Sequence, residues 1–229
     1  VIFVPNGRQS PDFVVVLDLD DTLYLERDYV ESGLNAVGCW VESQLARPAL
    51  GSLMIDLFRQ GIRGNIFDLA LAEAGLAGRP DLIARMVQVY RQHRPQIDLT
   101  ADAKRLFARR PDRVAFALIT DGYIDAQKRK MRALRLHAQG LSLGICTDRW
   151  GRADWKPSER AFRHVQAIFG VPPQALVYVA DNPNKDFHAP RRLGWRTLQI
   201  KRPGRLHTRI ESFAESADAE IETLDEIAP

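Results

Sequence analysis

Five runs of consecutive apolar residues stand at about 13 to 19, 115 to 120, 142 to 147, 176 to 180 and 197 to 200, and the chain between them repeats its apolar positions at helical spacing. Runs this short, bounded by polar turns, read as strands buried on both faces. Alternating with helices, they predict an α/β fold built on a doubly wound parallel sheet, whose ligands bind beyond the carboxyl ends of the strands. One interval breaks the alternation. About ninety residues separate the first two strands, and segments near 28 to 46, 49 to 60, 65 to 75 and 80 to 92 each show helical spacing, with Val30, Leu34, Val37 and Val41 on the first. The expected organisation is a core of residues 1–25 and 96–229 with a small helical subdomain at 26–95. After Glu211 the chain turns acidic, and Ile221, Leu224 and Ile227 suit a final strand or a short helix packed on the core.

Polar residues collect where strands are expected to end. The run FVVVLDLDDTL, from Phe13 to Leu23, carries Asp18, Asp20 and Asp21. Carboxylates so close together repel, and they are tolerated where a cation or a chemical task holds them. Alternation continued through Leu19 turns Asp18 and Asp20 to one side and Asp21 to the other. One of the pair can attack an electrophile while the other carries a proton, and Mg2+, a hard cation that takes a few carboxylates, waters and a phosphate, suits both. The second strand ends in Thr120, Asp121 and Gly122, a hydroxyl and free backbone N–H groups fit for an anionic oxygen. Lys156 precedes Pro157 and Ser158, and Ser158 is the expected N-cap of a helix running to about Phe169, with Gly170 as its stop. The fourth strand delivers Asp181, Asn182 and then Asp186. Each piece alone has a structural reading, as a capped turn or a solvated lysine.

In this order the four pieces resemble the motifs of the haloacid dehalogenase-like superfamily of hydrolases. DLDDT matches the first motif, Thr120 the second, Lys156 the third and DNPNKD, residues 181 to 186, the fourth. The resemblance runs from about Phe13 to Ile200 and implies a Rossmann-like core with a helical cap inserted after the first motif, which closes over the active site and selects the substrate. It also implies roles. Asp18 is the nucleophile that forms an aspartyl-phosphate, and Asp20 the general acid that protonates the leaving oxygen and later activates water. Thr120 and the N–H of Asp121, with Gly122 beside them, hold phosphoryl oxygens, and Lys156 offsets the charge shared by nucleophile and phosphate. Mg2+ is held by Asp18, Asp181 and the backbone carbonyl of Asp20, with Asp186 orienting metal-bound water or Lys156. The second motif commonly reads Thr-Asn-Gly, so Asp121 adds an anion near the phosphate. Arg63, in the loop Gly61 to Asn65, is a candidate for contact with a second anionic or hydroxyl-bearing part of the substrate.

The reaction implied is magnesium-dependent hydrolysis of a small phosphomonoester, a sugar phosphate or a nucleoside monophosphate. A phosphomutase and a binding or regulatory protein that retains only the fold are the alternatives. Asp20 argues against dehalogenation, which needs neither a second carboxylate nor a metal. The absence of lysine from residues 26 to 103 argues against Schiff-base phosphonate hydrolysis.

Composition adds bounds. With 229 residues, 45% of them hydrophobic, the chain is long enough for one α/β core and a subdomain. The formal charge of +3 comes from six lysines and twenty-six arginines against 29 acids, which favours an anionic partner without naming it; the small phosphorylated metabolite is what the resemblance implies. The basic groups Arg129, Lys130, Arg132 and Arg135, and Arg191, Arg192, Lys201, Arg202, Arg205 and Arg209, read as solvated helix faces. No aromatic-interleaved basic motif accompanies them, so no nucleic-acid partner is expected. Cys39 and Cys146 are too few for a disulfide scaffold and point to a reducing cytoplasm. No run approaches the ~18 apolar residues of a membrane span, and VIFVPNGRQS at the start lacks signal-peptide features. Monomer and homodimer both remain open.

Overall fold

β1 (Phe13–Leu17), β2 (Val114–Thr120), β3 (Leu141–Cys146), β4 (Leu176–Ala180), β5 (Arg196–Ile200) and β6 (Ala219–Ile221) form one parallel sheet in the order β3-β2-β1-β4-β5-β6. The computed structural model describes residues 11–109 and 111–227, so the opening VIFVPNGRQS lies outside the described residues. Around the sheet are α5 (Ala101–Ala108), α6 (Ile124–Ala133), α7 (Arg160–Phe169) and α8 (His188–Arg192); α1 (Glu26–Leu45), α2 (Ala49–Arg59), α3 (Ile66–Glu73) and α4 (Pro80–Gln92) occupy the interval between β1 and β2. The chain moves outward from β1 to β2 and β3 on one side, then returns to β4, β5 and β6 on the other. The carboxyl ends of β1 and β4 therefore flank a topological switch point, the place where open α/β sheets bind ligands. Register fixes what emerges there. Leu17 pairs with Leu118 and Val179, so Asp18 leaves the sheet beside Thr120 and Asp181.

Strand alternation covers both faces. Val14, Val16, Ala117, Ile119 and Tyr178 pack with Ala161, Phe162 and Val165 of α7, and Phe162 meets Tyr178 edge-to-face at 4.9 Å. Phe116, of the opposite parity, meets Phe107 of α5 at 5.1 Å. The stretch after Glu211 supplies both elements considered for it, the strand β6 and a short 3-10 turn at Leu224–Glu226. The helix after Lys156 begins later than expected: Glu159 is the N-cap residue, while the Ser158 hydroxyl accepts the Arg160 N–H at 3.3 Å. Gly170 ends it in the left-handed region.

Two of the basic residues read as solvated are not. Lys130 and Arg202 are buried. Arg202 donates to both carboxylate oxygens of Asp102, at 3.1 and 2.8 Å, and to the Thr22 carbonyl at 2.9 Å. Asp102 also accepts the Leu224 N–H at 2.7 Å, so this one pair ties the loop after β1, α5 and the last turn together. Other late basic residues are paired with acids, Arg191 with Glu215 and Asp218, and Lys201 with Glu220.

By internal contacts the chain divides into two units, Val1–Glu26 with Asp98–Pro229, and Arg27–Ile97. The second unit is helical. On α1 the buried side chains are Tyr29, Leu34, Val37 and Val41, with Tyr29 taking the inward place expected of Val30. A Cβ on Gly38 would stand 2.9 Å from the Gly51 Cα, so α1 and α2 cross where neither has a side chain.

Arg202→Met is expected to lower stability by about 3–5 kcal/mol, because it leaves the buried Asp102 carboxylate without its cation. Urea unfolding checks this, and a loss below about 1 kcal/mol would show that the pair carries little.

Candidate active site

The segment after β1 leaves extended geometry at once. Asp21 has φ of 53°, and its carboxylate accepts the Glu26 N–H at 2.8 Å and the Leu206 N–H at 2.7 Å, so it anchors the loop rather than serving a reaction. Asp18 and Asp20 meet different cations. Lys156 Nζ lies 2.7 Å from Asp18 Oδ1, 2.6 Å from Asp186 Oδ1 and 3.0 Å from the Tyr178 hydroxyl. Asp20, with 19% of its side chain exposed, holds Lys130 Nζ at 2.8 Å, Gln127 Nε2 at 3.2 Å and the Tyr24 hydroxyl.

Asp18, Asp181 and Asp186 each offer a carboxylate oxygen within 4.8 Å of the others. Lys156 bridges the first and third. Among the described residues Asp181 has no such partner, and its buried Oδ2 makes no hydrogen bond. Burial, then Asp186 and Asp18, push the Asp181 carboxyl well above the ordinary carboxylate range. Burial raises Asp18 to about 6, with Lys156 opposing and Asp186 reinforcing. Burial disfavours the Lys156 charge, yet Asp18 and Asp186 hold the ammonium protonated well above the usual lysine value. Asp20 goes the other way: burial raises it, but Lys130 and three hydrogen bonds bring it below its ordinary value, so at neutral pH it stands as the base. Hard oxygen donors, a surplus of negative charge and an orphaned carboxylate oxygen fit a divalent cation of the magnesium type.

The second motif is organised by its acidic side chain. Asp121 Oδ1 accepts Thr147 Oγ1 at 2.7 Å and the Lys156 N–H at 3.1 Å, and Oδ2 lies 3.4 Å from Lys185 Nζ. Burial opposes its charge, but Lys156 and Lys185 hold the Asp121 carboxyl below the ordinary range. Thr120 is buried, with its hydroxyl 3.4 Å from the Asp121 carbonyl. Gly122 has φ of +113°, and a Cβ there would stand 2.7 Å from Gln127 Nε2. Asp18, Asp20, Thr120, Asp121, Gly122, Lys156, Asp181 and Asp186 all belong to the first unit. Arg63 belongs to the second, where its guanidinium donates to the Phe58 and Ile62 carbonyls at 2.6 and 2.8 Å and lies over the Phe58 ring.

Sequence reasoning assigned no role to Gln127, Lys130, Tyr178 or Lys185. The first two sit three apart on α6, directly after the second motif, which was the available signal. Tyr178 was the one hydroxyl in the apolar run of β4.

Known proteins carry the same architecture. A 2-haloacid dehalogenase from Pseudomonas syringae pv. Tomato superposes with a TM-score of 0.61 at 21% identity, covering 93% of this chain and 95% of that one. The fold is that of the haloacid dehalogenase-like hydrolases. Another such hydrolase, from Bacillus subtilis, was solved bound to magnesium and superposes with a TM-score of 0.62 at 16% identity, over 93% of this chain and 96% of that one. In sequence, the chain is 33% identical to a phosphoserine phosphatase of Thermus thermophilus over 141 residues, 61% of this chain. That match spans only 55% of the relative's length. A glyceraldehyde 3-phosphate phosphatase of Methanopyrus kandleri is 25% identical over 200 residues, 82% of this chain and 83% of that protein. No family model matches the chain.

Gly122→Ala is expected to cost about 1–3 kcal/mol of stability, through the positive φ and the Gln127 clash. Chemical denaturation measures it, and an unchanged midpoint would contradict the contact.

Proposed function

We propose that this haloacid dehalogenase-like protein is a magnesium-dependent phosphatase of a small phosphomonoester, a sugar phosphate or a nucleoside monophosphate, acting through an aspartyl-phosphate on Asp18. The observation that carries the reading is the buried Asp181 oxygen without a partner, beside Asp18 and Asp186. Dehalogenation has no use for a cation there or for a second carboxylate held as Asp20 is. The phosphatase names of both sequence relatives point the same way.

In this reading Asp18, Asp181 and the backbone carbonyl of Asp20 hold Mg2+, and Asp186 orients Lys156. A cation held there would screen the carboxylates from the phosphoryl group and withdraw charge from its oxygens. Asp18 Oδ1 is engaged by Lys156, which leaves Oδ2 to attack phosphorus. The bond from phosphorus to the leaving oxygen breaks, and that oxygen takes a proton from Asp20, which must first have gained one. Asp20, ionised again, then removes a proton from water, whose oxygen attacks phosphorus and frees Asp18. Thr120 and the N–H groups at Asp121 and Gly122 hold phosphoryl oxygens. The helical unit selects the substrate, with Arg63 as a candidate contact once released from its own loop. The two free cysteines favour a cytoplasmic setting. Among the described residues no helix is long and apolar enough to cross a membrane.

Hydrolysis of a generic aryl phosphate is expected with magnesium and not with chelator, and Asp18→Asn should abolish it at unchanged melting temperature. Metal-independent turnover, or an active Asp18→Asn protein, would reject the mechanism. Magnesium should also raise the melting temperature of the wild type by mass action. Asp181→Asn is expected to lose that increment, and an equal increment in both proteins would remove Asp181 from the cation site.

A further inference from the structure

A lysine ammonium has three N–H donors. Lys156 uses two of them in hydrogen bonds, to Asp18 at 2.7 Å and to the Tyr178 hydroxyl at 3.0 Å, and pairs by charge with Asp186 at 2.6 Å, with none of its side chain exposed. Most of its charge is therefore already answered by two buried carboxylates.

Lys185, in the fourth motif, is differently placed. Its side chain is 35% exposed, and among the described residues its ammonium has one hydrogen-bond partner, Asp121 Oδ2, at a long 3.4 Å. Two donors remain. Asp186 and Asp18 also act on its charge, favouring the ammonium. Its base is set by a tight turn, in which the Asn182 carbonyl accepts the N–H groups of Lys185 and Asp186 at 3.3 and 3.0 Å, and Asn182 Oδ1 accepts that of Asn184 at 3.0 Å. Its partner is equally fixed, since Asp121 is held by Thr147 and the Lys156 N–H.

We infer that Lys185 supplies additional, mobile cationic donors that bind the substrate's phosphoryl group, with Asp121 as its resting post. This rests on the phosphatase reading above. It also gives the acid at position 121 a purpose: a neutral side chain could not hold Lys185 by charge. When the dianionic phosphoryl group arrives, Lys185 turns its free N–H groups to it, and Asp121 keeps its other two bonds.

Inorganic phosphate, titrated calorimetrically into the magnesium-loaded protein, tests the assignment without turnover. Lys185→Met is expected to weaken phosphate binding about tenfold or more, the loss of one charge-assisted contact. Lys185→Arg should restore most of the affinity, and the melting temperature should be kept in both. In steady-state hydrolysis Lys185→Met should raise KM more than it lowers kcat. A Lys185→Met protein that binds phosphate as tightly as the wild type overturns the inference, as does a wild type that binds no phosphate. Phosphate binding that depends on Lys185, in a protein that turns over no phosphomonoester, removes the hydrolase reading and keeps the binding assignment.

Discussion

Buried negative charge at one end of a sheet is the constraint around which the core is arranged. Asp18, Asp181 and Asp186 converge where β1 and β4 end, with oxygens within 4.8 Å of one another, and burial denies them water. Isolated charges there would be prohibitive. Lys156 answers two of the three by standing between Asp18 and Asp186, itself stabilised in charge by both. Asp181 is left over. An unpartnered carboxylate oxygen buried here costs stability, which is why Asp181 carries the metal reading proposed above.

The surrounding polar residues extend the same logic outward. Asp20 is steered by Lys130 and Gln127 from α6, and Gln127 also reaches the Asp121 carbonyl, so one helix face holds both the first and second motifs. Asp121 joins the second motif to the third through the Lys156 N–H and to the end of β3 through Thr147. Asp20 and Asp121 are thus each held by more than one partner. Loops so cross-linked need little movement to present a reacting group, which is the structural form of preorganisation.

Strands and their order of chemistry were legible in the sequence because both depend on local signals. AFALIT and LVYVA are apolar runs that can only be buried, and each is followed at once by its polar residues. The four helices between β1 and β2 were legible for the same reason, since periodicity survives without knowledge of partners. Long-range pairing was not. Lys130 and Arg202 sit in basic stretches indistinguishable by composition from solvated ones, and only the fold brings Asp20 and Asp102 to them. Asp121 looked like an added anion beside the phosphate because nothing in a linear reading reveals that Lys185, 64 positions later, stands against it. Val30 was misplaced by one residue for a smaller reason: α1 buries the larger Tyr29, whose ring packs against Tyr90.

The fold by itself does not choose among chemistries, since a dehalogenase superposes on this chain as well as a magnesium-bound hydrolase does. The choice rests on side chains beyond the nucleophile. A carboxylate attacking carbon to displace halide needs a lone aspartate and a cradle for the leaving anion. Attack on a phosphomonoester brings further negative charge to an already negative site, and it demands more cations than the fold requires. Here Lys156 pairs with the resting carboxylates, Lys185 has donors in reserve, and among the described residues Asp181 keeps an oxygen without a partner. The Lys185 donors, which the resting protein does not need, are what an incoming phosphoryl dianion would call upon.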